Sequence, residues 1–250
     1  MGARFTGKVV LVTGGSSGIG RATARAFAAE GATVVVAGRN EQRLAEAVRD
    51  IGGDASAVTV DVTDSADVAR MVATVVDRHG GLHVAFNNAG ILGTPAPAAD
   101  LAEDDFDAVV RTNLTGLWLC LKHEIAHMRD HGGGAIVTMS SNIGAHRRLP
   151  NMAAYAASKA AVSALTRTAA LDHIRDGVRI NAVSPGATDT EMSLRPGETA
   201  ADRAARMRES VPLGRVGATA EVAAAVLWLA SDEAAYTVGH DLVVDGGAAA

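Results

Sequence analysis

The chain is short of several kinds of residue, and each shortage excludes something. Its 250 residues include a single cysteine, Cys120. One cysteine rules out an intramolecular disulfide and any thiolate metal cluster, and no metal site is expected. Cys120 lies in an apolar run and is expected to fill core space. Aromatic residues are only 3% of a chain that is 48% hydrophobic. Its core is therefore built from Ala, Val, Leu and Ile, as in sheets buried on both faces. No apolar run approaches the length of a membrane span, and no basic segment followed by an apolar one suggests a secretory leader. A cytoplasmic protein without a membrane partner is expected. The formal charge of −5 argues against nucleic acid as the main partner. Met1-Gly2-Ala3-Arg4-Phe5-Thr6 matches the loose myristoylation pattern. A strand is expected within a few residues of it, so the match is read as fortuitous.

Lysine is scarce too. Of 23 basic residues only three are lysines (Lys8, Lys122, Lys159), and there are two tyrosines, Tyr155 and Tyr236. One lysine and one tyrosine meet in Tyr155-Ala156-Ala157-Ser158-Lys159. On a helix, positions i and i+4 share a face. Lysine offers a compact, tunable ammonium. Beside a phenol it favours the phenolate, so the pKa of Tyr155 is expected to fall from its ordinary value near ~10. Such a tyrosine can act as a general acid or base near neutral pH.

Abundant glycine and valine supply the rest of the frame. Lys8–Val12 reads as a buried strand that runs into Thr13-Gly14-Gly15-Ser16-Ser17-Gly18-Ile19-Gly20 and then a helix through about Glu30. A strand, a glycine-rich turn and a helix N-terminus form an anion site for a diphosphate. Gly14 permits the tight turn, Gly18 the approach of the phosphates, and Gly20 close packing of helix on strand. The second strand, Thr33–Ala37, ends at Gly38-Arg39-Asn40, where such folds read the adenosine ribose. No acidic residue stands there. Arg39, with Arg43 a turn later, favours a 2′-phosphate, hence NADP(H) over NAD(H).

Further strands are expected at 57–60, ending at Asp61-Val62 near the adenine, and at 82–86, ending at Asn87-Asn88-Ala89-Gly90. One long helix is expected from about Asp104 to Arg129, holding Asn113 and Trp118. Strands at 135–140 and 178–183 end at Ser141 and at Ser184-Pro185-Gly186, and a last strand spans 240–244. Alternating strands and helices imply one α/β domain over 1–250. Its fold would be a Rossmann-type, doubly wound and mostly parallel sheet flanked by helices on both faces, with ligands outside the carboxyl ends of the strands. Residues 187–212, polar and weakly patterned, read as a flexible lid.

Taken together, the TGGSSGIG run at 13–20, Asp61, the NNAG run at 87–90, Asn113, Ser141, the YAASK run at 155–159, Pro185-Gly186 and the closing VDGG at 244–247 resemble the short-chain dehydrogenase/reductase family. The resemblance covers essentially the whole chain. It implies a seven-stranded sheet and an NAD(P)(H)-dependent enzyme that interconverts a small-molecule carbonyl and a secondary alcohol. It implies a tetrad of Asn113, Ser141, Tyr155 and Lys159. Tyr155 would give a proton to the carbonyl oxygen, and Ser141 would hold that oxygen. Lys159 would tune Tyr155 and bind the nicotinamide ribose. Asn113 would interrupt its own helix and hold a water on the proton route. The nucleotide would also meet Ser16, Ser17, Ile19, Asn88, Ala89, Gly90, Pro185 and Gly186, with the carboxamide at Thr188 and Thr190 and the adenine at Asp61 and Val62. Strand alternation lets only one of Ser140 and Ser141 face the site. The family's spacing selects Ser141 and leaves Ser140 structural. Two departures stand out. Ser141 and Tyr155 are one residue farther apart than is usual, and His83 replaces a common aspartate.

The His146-Arg147-Arg148 cluster allows two readings, recognition of an anionic substrate or a solvated basic loop tip, and the second is expected. His123 and His127 are expected on a helix surface, and Trp118 and Trp228 in packing or at an interface. Ala-rich helix faces, with the resemblance, imply a homotetramer, or a homodimer. The alternative function is a catalytically silent dinucleotide-binding regulator or scaffold, against which the complete tetrad argues. Among enzymes, the residues do not separate a 3-oxoacyl thioester reductase from a secondary-alcohol, sugar or steroid dehydrogenase. An extended-type epimerase or dehydratase is disfavoured because it would need a larger C-terminal substrate region.

Overall fold

A computed structural model describes residues 3–250. The first two residues of the myristoylation-like pattern, Met1 and Gly2, lie outside the described residues. Seven strands, β1 (Val9–Thr13), β2 (Thr33–Gly38), β3 (Ser56–Thr59), β4 (Val84–Asn87), β5 (Gly134–Met139), β6 (Val178–Pro185) and β7 (Asp241–Val244), form one sheet in the order β3-β2-β1-β4-β5-β6-β7. Every pairing is parallel, as expected from the sequence. The order reverses between β1 and β4, and ligand crevices open at such switch points.

The helices are α1 (Gly18–Ala29), α2 (Glu41–Ile51), α3 (Ser65–His79), α4 (Glu103–Val110), α5 (Gly116–Asp130), α6 (Ala153–His173), α7 (Ala200–Ser210) and α8 (Thr219–Ala230). They cover both faces of the sheet. Val9 and Leu11 of β1 pack with Val68, Met71, Leu121 and Val162, on the side of α3, α5 and α6. Val10 and Val12 pack with Phe27, Leu44, Val226 and Leu229, on the side of α1, α2 and α8. Successive side chains of a strand point to opposite faces, and here both faces are core, so the strand reads as an unbroken apolar run.

The helix expected over 104–129 is interrupted at Asn113, as the resemblance implied: α4 and α5 flank a π-helical turn, Arg111–Thr115, centred on that buried residue. The 187–212 segment, weakly patterned in sequence, carries elements of its own. It holds a short 3₁₀ turn, Glu191–Ser193, and then α7, opened by a capping box between Thr199 and Asp202. Arg203, on α7, bonds Thr190 O, Ser193 Oγ and Asp189, while Arg206 grips Glu198 with two bonds of 2.7 Å. Polar pairs, not an apolar stripe, order this segment, so hydrophobic periodicity gave no sign of it.

Candidate active site

The carboxyl ends of the strands line a cavity of ≈ 1530 Å³. At one end lies the turn between β1 and α1. Gly14 (φ +63°) and Gly18 (φ +50°) adopt left-handed conformations there. A Cβ on Gly14 would stand 2.8 Å from Asn88 Nδ2; one on Gly20 would meet the Gly14 carbonyl oxygen. The amide of Asn88 holds this turn, donating to the carbonyls of Thr13 and Gly14 at 3.1 Å each, and Thr13 Oγ1 accepts from the backbone of Asn88 and Ala89. Ser17, the N-cap of α1, gives no side-chain cap, and the first turn of the helix carries no acidic residue. The first-turn N–H groups of α1 thus open toward the cavity without a side-chain acceptor. That donor set fits a diphosphate.

Ser16, Ser17, Ile19, Ala89, Gly90, Asp61 and Val62 line the same cavity, as do Arg39, just past β2, and Arg43, in the first turn of α2. Asp61 is oriented by Thr63, whose N–H and hydroxyl both donate to its carboxylate, at 2.9 and 2.8 Å. Pro185, Gly186, Thr188 and Thr190 line the opposite wall. Thr188 is tied to Gly186 O and Thr190 to Thr188 O. Gly20 and Asn113 lie behind the cavity wall and act through packing and hydrogen bonds.

Toward the middle, β5 delivers Ser141 and α6 delivers Tyr155 and Lys159. All three are buried and line the cavity. Ser140 also borders it, but its hydroxyl is engaged with α6. It donates to Lys159 O at 3.0 Å and meets Ser163 Oγ at 2.8 Å, which fastens β5 to α6. Lys159 Nζ donates to Met139 O at 2.7 Å and stands 5.9 Å from the centre of the Tyr155 ring. Asn113 accepts from Ile91 N–H at 2.8 Å and donates to Ile91 O and to Ser158 Oγ. The π-turn, the segment after β4 and α6 meet in this one side chain.

The expected fall of the Tyr155 pKa is not what this arrangement produces. Burial pushes the phenol up, and hydrogen bonding with Ser141 pulls the other way more weakly. The lysine responds instead, since burial lowers its ammonium to about 8. Desolvation penalises both charged forms, and Lys159 directs its charge to a backbone carbonyl, so the phenolate gains little from it.

The loop after Ser141 corrects a second expectation. His146-Arg147-Arg148 is not a uniformly solvated tip. His146 Nε2 is 2.9 Å from Asp241 Oδ2, a buried carboxylate that also accepts from Ser163 and Ser184. Arg147 lines the cavity, and only Arg148 is exposed. Sequence reading missed Asp241; its one signal was an acid opening an otherwise apolar strand. His83 is structural, accepting the Val9 N–H on Nδ1 at 3.0 Å. Cys120 is buried in the core, and its thiol is pushed well up by burial. Trp118 is exposed, with Lys122 over its ring, and Trp228 packs at the edge of the other core. His127 stacks on His131 rather than meeting His123.

Residues 14–249 match the family described as enoyl-(acyl carrier protein) reductase, adh_short_C2. The chain is a short-chain dehydrogenase/reductase. It is 43% identical over 250 residues to cis-4-hydroxycyclohexanecarboxylate dehydrogenase of Sinomonas cyclohexanicum, across 99% of this chain and 98% of that one. It is 39% identical to a 3beta-hydroxysteroid dehydrogenase of Mediterraneibacter gnavus, across 98% and 95%. Among solved structures, levodione reductase superposes with a TM-score of 0.93 at 36% identity, across 98% of each chain. This short-chain dehydrogenase/reductase is an NAD(P)(H)-dependent oxidoreductase that interconverts a carbonyl and an alcohol on a small molecule. Among the described residues, no helix is long and apolar enough to cross a membrane.

Proposed function

We propose that the enzyme interconverts an alicyclic ketone and its secondary alcohol, prefers NADP(H), and uses Tyr155 as the proton donor and acceptor. The observation that carries this reading is the burial of Ser141, Tyr155 and Lys159 together on one wall of the cavity, beyond the anion-binding turn at 14–20. The relatives named for a hydroxycyclohexane acid and a hydroxysteroid support a ring-borne alcohol. So does the apolar substrate end of the cavity, where Leu92, Ile143, Leu149 and Met152 lie.

When bound, the nicotinamide supplies or accepts the hydride. The chain's own residues do the rest. Ser141 donates to the substrate oxygen and stabilises developing negative charge. Tyr155, kept neutral by burial, donates its proton to that oxygen in the reducing direction. Lys159 stands behind Tyr155 as a buried cation with a lowered pKa and is positioned to bind ribose hydroxyls. Asn113 sets the spacing between the π-turn and α6. Arg39 and Arg43 line the cavity past the end of β2, where Gly38-Arg39-Asn40 carries no acid, and support the 2′-phosphate. The 187–212 segment acts as a lid through Met192, Leu194 and Met207, which line the cavity. Exposed Phe106, Trp118 and Leu171 on α4, α5 and α6 support helix-paired association into a homotetramer, and the same reading includes a cytoplasmic location.

The test is a panel of alicyclic ketones, 3-oxoacyl thioesters and open-chain ketones, followed at the nicotinamide absorbance band with both dinucleotides. Ring ketones should lead by kcat/KM. Tyr155→Phe should abolish turnover while dinucleotide binding persists. A lead by thioesters overturns the substrate class, and turnover in Tyr155→Phe overturns the role of Tyr155.

A further inference from the structure

The loop between Ser141 and α6 holds at the cavity wall a cation, Arg147, that none of the described residues neutralises. Its backbone is fixed. Ile143 N–H donates to Ser141 Oγ at 3.1 Å, Arg147 N–H to Asn142 O at 2.7 Å, and Gly144 N–H to Arg147 O at 2.8 Å. Gly144 (φ +137°) rests on α6, where a Cβ would come within 2.8 Å of Ala160 N and 3.0 Å of Ala156 O. Ala156 and Ala160 each directly follow a residue of the Tyr155–Lys159 pair, so the loop is seated beside that pair. His146 adds a side-chain anchor at Asp241.

Arg147 is thereby held at the cavity wall, yet its guanidinium enters none of the ion pairs or side-chain hydrogen bonds among the described residues. Of the other arginines on the 187–212 side of the cavity, Arg203 pairs with Asp189 and Arg206 with Glu198, while Arg195, also without a side-chain partner, is exposed rather than half-buried. Of the acids lining the cavity, Asp61 is bonded to Thr63, Asp189 to Arg203, and Glu191 belongs to the 187–212 segment. The cavity-lining residues near Arg147 in the chain, Ile143, Leu149 and Met152, are apolar. A half-buried arginine in apolar surroundings with no partner is suited to a planar anion, because its fork matches a carboxylate with two parallel bonds.

We propose that Arg147 is a specificity residue that binds a carboxylate on the substrate, so that the natural substrate is an alicyclic hydroxy or oxo acid. This rests on the reading of the cavity as a site for ring alcohols. Tyr155 and Ser141 hold the reacting oxygen at one end of the ring, and Arg147 holds the acid at another. Arg147 fixes orientation and takes no part in proton transfer.

The experiment uses ligands that cannot react, which separates this inference from the substrate reading. Cyclohexanecarboxylate and the neutral cyclohexanecarboxamide are titrated calorimetrically into the full chain in the presence of NADP⁺. The acid should bind about 10- to 100-fold more tightly, the range of a charge-assisted pair. Arg147→Ala and Arg147→Gln should each erase that preference, while Arg148→Ala, on the exposed neighbour, should keep it. The loop's own bonds use the backbone of Arg147, so both substitutions leave them in place. Equal binding of acid and amide, or a preference that survives in both Arg147 variants, overturns the proposal. If the preference exists and depends on Arg147 while no ring ketone is turned over, Arg147 stands as the carboxylate-binding residue and the alicyclic part of the substrate assignment fails.

Discussion

Asn113 donates from Nδ2 to Ser158 Oγ across 3.2 Å, which joins the π-helical turn to the helix that carries Tyr155 and Lys159. The same side chain both accepts from and donates to the backbone of Ile91. It is a buried clamp across three segments, and the π-turn gives it the outward reach that a regular helix would deny it.

Replacing it separates positioning from binding. Asn113→Ala leaves the N–H and C=O of Ile91 without their partner, at a cost of about 1–3 kcal/mol. Turnover should fall by about tenfold or more through displacement of α6, with dinucleotide affinity reduced much less. Single-turnover kinetics and dinucleotide titration of the same variant check this. An equal loss in both would make Asn113 a general stability residue.

The raised phenol of Tyr155 sets the pH dependence of the two directions. Burial keeps the side chain protonated at neutral pH, the form needed to reduce a carbonyl. Alcohol oxidation needs the phenolate, so its kcat/KM should climb as pH rises into the alkaline range. Carbonyl reduction should hold at neutral pH and decline over that same alkaline range. Profiles of kcat/KM in both directions test the assignment; oxidation that peaks at or below neutral pH would contradict it.

Glu124 of α5 gives a stability signature unconnected to turnover. It is fully buried, and burial pushes its carboxyl up to about 7 against the weaker pull of its bond from Asn87. Unfolded, a glutamate ionises near ~4.3. Between those values the unfolded chain releases a proton that the native chain keeps. The stabilisation is therefore full below the lower value and is lost as pH rises toward about 7, a swing on the order of 3 kcal/mol. Glu124→Gln should flatten that slope, matching the parent near pH 4.5 and exceeding it at pH 8. Urea denaturation across the interval measures the difference.

Arg39 stands exposed at the end of β2 with no ion-pair partner among the described residues. Arg39→Ala should raise KM for NADPH by about tenfold or more, the worth of one charge-assisted bond. KM for NADH should change little. Parallel steady-state assays decide the point, and equal effects on both dinucleotides would remove the basis for an NADP(H) preference.

How far the residue pattern alone reached can be seen at particular places. The doubly wound, mostly parallel architecture followed from alternating strands and helices, and the glycine turn followed from one local run. Both depend on short stretches of chain, where sequence and conformation are directly coupled. Tyr155 and Lys159 were legible because helical spacing places them on one face. Their ionisation was not. Which of the two shifts, and in which direction, depends on burial by other segments and on the carbonyl of Met139, brought in from β5.

The internal order of the 187–212 segment and of the 142–147 loop was not legible for a related reason. Their order comes from Arg203, Arg206, His146 and Asp241, whose partners are fixed by three-dimensional proximity and not by any period. The sequence by itself determined the layered sheet, the glycine-rich turn and the candidates for the reacting groups, because those are local patterns along the chain. Tertiary structure alone decided that Asp241, 95 positions away, would hold His146, that Arg147 would remain an unpaired cation on the cavity wall, and that Asn113 would clamp α6. Hydrogen bonds and desolvation act over a few ångströms, and only the fold sets which residues come that close.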